Sequence, residues 1–186
     1  MKVLALGIAL LTPLWGSGTL AAGVTAAAFR KLQSLAGDWE GKDEQGNMVR
    51  SNFKLIVSGT AVMETLNHSG MGEMVTFYTV DGDRIALLHF CPTNNQPRMR
   101  ATPSKGDIKE LAFSFEGAGN LPSTEIGHEH KLVLEFQDKD HIVERWTWRA
   151  KGKDTEMVYQ LARKARSSSN GGNQAKEIPE NMIVSF

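Results

Sequence analysis

HEHKLVLEFQDKDHIVERWTWRAKGKDTEMVYQLAR, residues 128–163, decides the fold class. Apolar and polar residues alternate along three runs within it, 128–136, 140–149 and 154–163. Alternation with a period of two is typical of half-buried β-strands. The breaks between the runs are polar, and one of them contains Gly152, as tight turns require. The stretch therefore predicts three antiparallel strands joined by hairpins.

The same pattern continues backwards along the chain to Gly37. Turn residues recur roughly every ten positions, which is the spacing of an all-β sandwich or barrel. The further predicted strands are 37–44, 47–57, 60–67, 73–80, 83–90, 96–102 and 108–116. An even total of about ten strands lets the last pair antiparallel with the first and removes both sheet edges. We predict a single antiparallel up-and-down β-barrel, wide enough to hold a ligand.

The N-terminal residues predict export. Lys2 is followed by an apolar run, Val3 to Leu14, and then by small residues, as in a secretory signal. We predict a signal peptide over 1–21, cleaved after Ala21, with Ala22 and Ala28 as alternative cleavage positions, and a secreted or periplasmic protein. The alternative is an uncut membrane anchor, although the run is short for a transmembrane span.

The rest of the chain divides into three parts. Residues 22–35 form a leader and one short helix, since apolar residues recur at helical spacing up to Leu35. Residues 36–163 form the barrel. Residues 164–186 are poor in apolar side chains over most of their length and are predicted to be a disordered tail.

Composition limits the partners. The 186 residues carry 21 basic and 21 acidic side chains, so the chain lacks the excess of Lys and Arg on which nucleic-acid binding relies. After signal cleavage we expect no stable membrane insertion; the oligomeric state is left open. Cys91 is the single cysteine, so no internal disulfide can form. It is either a small buried residue or an exposed thiol.

A tripeptide and an arginine carry a family resemblance. Gly37-Asp38-Trp39 follows the predicted helix, and Arg163 closes the last predicted strand. The pattern resembles the calycin barrels, namely lipocalins, fatty-acid-binding proteins and nitrobindin-like proteins, and implies that Arg163 stacks on Trp39 at one end of the barrel. Residues 89–99, 127–136 and 138–148 are also similar to segments of small exported bacterial proteins of unknown function, which implies a fold and no reaction.

Strand direction brings four histidines to the opposite rim. His68 and His89 lie at or just beyond the ends of upward strands, and His128 and His130 begin a downward strand. Successive side chains of a strand point to opposite faces, so His128 and His130 are expected on the face of Leu132, with Glu129 on the other face. The same alternation does not decide whether His68 and His89 point into the barrel. His89, His128 and His130 could bind a transition metal, or one histidine could cap haem; the alternative is that they bond to rim backbone or face solvent.

The polar loop after His89 completes the predicted site. We expect Asn95, Gln96 and Arg98 to offer amide and guanidinium groups to a ligand. The alternative is a turn whose side-chain amides form hydrogen bonds with its own backbone. Arg98 could instead pair with Glu64 or Glu144. Two tryptophans, Trp146 and Trp148, are either cavity lining or plain core. The predicted ligand-binding residues are thus His68, His89, Asn95, Gln96, Arg98, His128, His130, Trp146 and Trp148.

These residues favour a binding protein over an enzyme. The sequence contains no GxSxG, P-loop, GxGxxG or CxxC motif. We expect an exported barrel that binds a small apolar or amphipathic molecule at a rim lined by His, Asn and Arg. One alternative is a metal carrier or metal-dependent enzyme that uses the rim histidines. Another is a structural or interaction protein with no small ligand.

Overall fold

A computed structural model describes residues 17–165, with side chains from residue 22 onward, as one helix and ten strands. The helix, α1, spans Ser17–Ser34, and the predicted apolar signal run lies outside the described residues. The strands are β1 Gly37–Lys42, β2 Met48–Ile56, β3 Ala61–His68, β4 Gly72–Asp81, β5 Arg84–Phe90, β6 Gln96–Ala101, β7 Glu110–Gly119, β8 His128–Phe136, β9 His141–Ala150 and β10 Lys153–Arg163. All ten predicted strands are present, with ends shifted by up to three residues.

The strands form a closed antiparallel barrel, which confirms the predicted fold. Each strand pairs with its neighbour in sequence, and β10 pairs with β1. Trp39 lies directly opposite Arg163 in the closing pair. Closure leaves no unpaired strand edge in the described barrel. This architecture fits a calycin-like barrel.

We call the end of the barrel where β1 begins the lower end, and the opposite end the upper end. Helix α1 lies at the lower end, where it contacts β4 and β5. Its buried residues recur at helical spacing: Thr25, Ala28, Phe29, Leu32 and Leu35. The helix starts earlier than predicted and runs through the predicted cleavage site after Ala21. No helix in residues 17–165 meets the length and hydropathy needed to span a bilayer.

Arg163 and Trp39 lock the lower end. The guanidinium lies 4.2 Å from the centre of the Trp39 ring, as the resemblance implied. It also donates hydrogen bonds to the carbonyls of Ala36 and Ser34, at 3.0 and 2.9 Å. The indole Nε1 donates to the carbonyl of Leu35 at 2.8 Å. These bonds satisfy the carbonyl groups of the helix end and join it to both closing strands.

Candidate functional site at the upper end

Two buried carboxyl groups meet inside the barrel. Glu64 on β3 and Glu144 on β9 belong to strands on different sides of the barrel, and both are fully buried. Glu64 accepts hydrogen bonds from Ser51 and Tyr78, each at 2.7 Å, and Glu144 accepts one from Trp146 at 2.9 Å. The pair and its partners lie on four strands, β2, β3, β4 and β9, so the pair joins the barrel walls across the interior.

The buried pair favours a bound proton. Burial raises the pKa of both groups, and the neighbouring Glu64 charge raises the pKa of Glu144 further. The protonated form of Glu144 is therefore favoured. Glu144 Oε1 has no hydrogen-bond partner among the described residues.

His89 lies above the Glu64–Glu144 pair and points into the barrel. The residue is buried, as are Ile85 and Leu87 on the same face, whereas Phe90 is 41% exposed. Its Nδ1 lies 2.9 Å from the Thr76 hydroxyl, and its ring packs at 4.7 Å on Trp146. Burial lowers the pKa of His89 to about 4, so the imidazole is neutral at pH 7. Its Nε2 has no partner within residues 22–165.

Asn95 lies at the end of the loop that follows β5. Its Nδ2 donates to the carbonyl of Gly127 at 2.9 Å, which ties this loop to the start of β8. The amide is buried, yet its Oδ1 finds no hydrogen-bond donor in the described part of the chain. Asn120 bonds the same pair of loops through the carbonyl of Asn94. The loop is therefore held rigidly while one acceptor stays free.

A β-bulge in β8 reverses the predicted orientation of Glu129. The register with β9 shifts between Glu129 and Lys131, and Glu129 lies opposite Trp148. Parity alone placed Glu129 on the outer face, which was wrong, because the bulge inserts one residue and reverses the alternation above it. Glu129 is 4% exposed, and burial raises its pKa to about 8. Its Oε2 has no partner among the described side chains and backbone.

We call the group of neighbouring residues His89, Asn95, Glu129, Trp146 and Trp148 at the upper end the mouth. Consecutive contacts connect these residues. His89 packs on Trp146, and Trp148 lies two positions further up the same strand, opposite Glu129. A Cβ on Gly127, whose carbonyl binds Asn95, would lie 2.2 Å from the Trp148 ring. The residues that carry three unpartnered polar atoms are therefore linked to one another through the two tryptophans and Gly127.

His128 and His130 form a hydrogen-bonded chain. His128 Nδ1 lies 2.7 Å from the carbonyl of Ile126 and must donate to it, so its Nε2 accepts from His130 Nδ1 at 3.2 Å. His130 Nε2 in turn accepts from Arg149 at 2.7 Å. Arg149 is paired with Asp154 at 2.6 Å. Desolvation and the nearby Arg149 charge lower the pKa of His130, which keeps its ring neutral.

This chain leaves no imidazole lone pair for a metal. The lone pairs of His128 and His130 are both used as acceptors, and Phe115 packs on the two rings at 4.7 and 5.1 Å. His89 instead contacts Thr76 and Trp146. Within residues 22–165, no three His, Cys, Asp or Glu side chains are grouped to hold a metal ion. The predicted metal set of His89, His128 and His130 is therefore not assembled here.

His68 supports the rim. It is buried, and its Nδ1 accepts from the backbone N–H of Gly70 at 3.0 Å. Its Nε2 therefore carries the proton and donates to Asp43 at 2.9 Å. Desolvation raises the pKa of Asp43, but hydrogen bonds from Asn47 and His68 outweigh it and lower the pKa to about 2. Both ring nitrogens of His68 are used within the protein, so this predicted site residue connects two rim loops.

Besides His68, His128 and His130, two more predicted site residues, Gln96 and Arg98, lie outside the mouth. Side chains alternate between the two faces of β6, and Pro97 and Met99 are buried. The side chain of Arg98 therefore points outward and is exposed, away from both Glu64 and Glu144. Gln96 shares that parity and is half-buried beside Gly119. Trp146 is buried and Trp148 is half-buried, as a lining residue would be.

A separate groove of about 1220 Å³ lies on the outer surface beside β1 and β2. Two pairs of its polar side chains are bonded to each other: Asn52 donates to Asp38 at 2.7 Å, and Lys164 lies 3.4 Å from Glu40. None of the unpartnered buried atoms of residues 22–165 borders this groove. By volume alone this groove would be the candidate binding site. The mouth is the better candidate because it contains buried polar atoms without hydrogen-bond partners.

Comparison with known proteins adds little to this site. No family model matches the sequence, and no curated protein matches it. Among solved structures, the chain is similar to EF1p2_mFAP2b, solved bound to DFHBI. The identity is 12%, the match covers 76% of this chain and 99% of that chain, and the TM-score is 0.35. At this level of similarity, the site has to be argued from its own residues.

Proposed function

We propose that this protein binds one small molecule in the mouth. The observation that carries the proposal is that three of the four buried side-chain polar atoms without a partner in the described residues belong to the mouth: His89 Nε2, Asn95 Oδ1 and Glu129 Oε2. An unpaired buried polar atom costs about 1–3 kcal/mol, so three of them in one region would be a heavy cost without an occupant. A bound molecule would supply the missing hydrogen bonds.

The mouth also offers apolar contact. Trp146 and Trp148 follow one face of β9, and the Trp146 ring packs on His89. Small-molecule sites typically combine aromatic walls with a few well-placed polar groups. The Glu64–Glu144 pair lies beneath and would form the floor. The proposed ligand is therefore small and flat, with an apolar body and a polar end.

Native mass spectrometry of the full chain, purified without chelator, tests for a retained molecule. Titration with N-phenyl-1-naphthylamine, an uncharged fluorescent probe, tests for an accessible site. We expect saturable binding of one probe per chain. Glu129→Phe should fill the mouth and abolish binding, with Glu129→Leu as a milder second variant. Glu135→Phe, on the same strand but paired outside with Arg145, should bind as wild type.

Two results would overturn the proposal. One is the absence of both a retained mass and saturable probe binding. The other is equal probe affinity in the Glu129 variants and in the Glu135 control.

We propose in addition that the protein is exported. The support is the sequence pattern of Lys2 and the apolar run before Ala21. Expression of the full chain followed by fractionation and intact-mass measurement is the test. We expect the extracytoplasmic form to begin at Ala22, and recovery of only the uncut chain inside the cell would contradict this.

A further inference from the structure

The buried acids of the barrel lack basic partners. Three glutamates, Glu64, Glu129 and Glu144, are buried, whereas no Lys or Arg side chain among residues 22–165 is. A buried acid is stable only when it is protonated, shared or paired with a cation. Glu64 and Glu144 lie against each other, and the raised pKa of Glu144 favours its protonated form. Glu129 is the acid left without a partner.

The free atoms of the mouth can all act as hydrogen-bond acceptors. Asn95 Oδ1 can only accept, because the Nδ2 of the same amide already donates to Gly127. His89 Nε2 accepts in the tautomer whose Nδ1 carries the proton and donates to Thr76. Glu129, whose pKa is raised to about 8, is protonated in the empty site at neutral pH, and its Oε2 accepts once a bound cation draws that proton off. A ligand that brings several donors and no acceptor satisfies all three atoms in these states.

From this match we propose that the ligand is an organic ammonium, a protonated amine on a flat apolar body. An ammonium group brings three N–H donors and no acceptor, and its charge pairs with the Glu129 carboxylate. The ring faces of Trp146 and Trp148 favour a cation further. This inference rests on the proposed ligand-binding function and names the chemical class of ligand for the same site.

The neighbouring charges are compatible with this assignment. Arg145 and Arg149 adjoin the mouth tryptophans in sequence; Arg145 is paired with Glu135, and Arg149 is engaged by Asp154 and His130. The His89 and His130 rings are neutral at pH 7 because their pKa values are lowered by burial. No fixed positive charge in the described residues competes for Glu129. An anionic ligand would instead meet an unpaired carboxyl group.

The test compares three probes with the same phenyl ring: 2-phenylethylamine, 2-phenylethanol and 3-phenylpropionate. Calorimetric titration at neutral pH should show that the amine binds at least about tenfold more tightly than the alcohol, a difference typical of one good charge-assisted contact, and that the carboxylate does not bind. Glu129→Gln should weaken amine binding about tenfold and leave alcohol binding within about twofold. Glu135→Gln, the matched control, should change neither.

The outcomes separate the two proposals. If the alcohol binds as tightly as the amine, or if Glu129→Gln leaves amine affinity unchanged, the ammonium assignment is overturned and the binding function stands. If none of the three binds while N-phenyl-1-naphthylamine does, the assignment is again overturned alone. If the naphthylamine also fails to bind, both proposals fall.

Discussion

The two ends of the barrel treat buried polar groups in opposite ways. At the lower end, the Trp39 indole and the Arg163 guanidinium are each bonded to backbone carbonyls around α1, and no buried side-chain polar atom described there lacks a partner. At the upper end, His89, Asn95 and Glu129 are equally buried but each keeps one free atom. A barrel of repeated hairpins can thus concentrate stability at one end and unmet hydrogen-bonding capacity at the other.

The largest expected loss of stability comes from removing the Trp39 side chain at the lower end. Trp39→Ala removes a side chain that is 1% exposed and anchors both α1 and Arg163. We expect the free energy of unfolding to fall by about 3–5 kcal/mol. Urea unfolding monitored by circular dichroism measures it. Phe90→Ala, at an exposed position, should cost less than about 1 kcal/mol; similar losses in the two variants would show that the lower end is no special anchor.

The second effect is a pH dependence that belongs to the upper end. The pKa of Glu129 is raised by burial from 4.5 to about 8. The folded state therefore binds the proton more tightly, so this group stabilises the fold fully below pH 4.5, and that stability is lost as the pH rises towards 8. The slope is about 1.4 kcal/mol per pH unit.

Unfolding measured at about pH 5.5 and about pH 7.5 checks this sign, since both values lie inside the window. Wild type should lose about 2–3 kcal/mol more over this interval than Glu129→Gln, which cannot ionise there. Glu135→Gln should follow the wild-type curve. A Glu129→Gln variant as pH-dependent as wild type would show that Glu129 is not the group responsible.

A third prediction tests how closely Gly127 and the Trp148 ring pack at the mouth. Gly127→Ala places a methyl group where the Trp148 ring lies, at 2.2 Å from Cζ2. We expect a loss of about 1–3 kcal/mol from overpacking, together with a shift in tryptophan emission as the ring moves. Gly23→Ala is the control, since nothing lies within 4 Å of its added Cβ. Unchanged emission in Gly127→Ala would mean that Trp148 is not held by this contact.

The smallest predicted effect lies in the turn between β2 and β3. Val57 has a φ of 49°, a conformation that disfavours β-branched side chains, and its side chain is 70% exposed. Val57→Asn should therefore stabilise the protein by about 1 kcal/mol. Val80→Asn, at a similarly exposed strand position, should not stabilise it. Thermal unfolding of both variants decides the matter, and a loss of stability in Val57→Asn would contradict the prediction.

The sequence was sufficient for the barrel and insufficient for the mouth. Strand number, closure and the Trp39–Arg163 stacking follow from period-two patterns and from direction along the chain, which are local signals. The orientation of Glu129 depends on a bulge, and no residue in Glu129-His130-Lys131 marks one. The outward orientation of Arg98 could have been predicted, because side chains alternate along a strand and its apolar neighbour Met99 is expected to point inward. Trp146, which packs on His89, and Glu64, which lies against Glu144, are on strands far from their partners, and no local pattern reveals these contacts.

The closing strand pair sets the order in which this protein can be assembled. Arg163 reaches the carbonyl of Ala36 across 127 residues, so the barrel cannot shut until nearly the whole domain has been made. Contacts of such long range are closed at a large entropic cost and slow the folding of all-β proteins. Until β10 arrives, β1 and β9 each present an open edge to other chains. The chain is therefore most prone to aggregation during folding, before β10 pairs with β1 and β9.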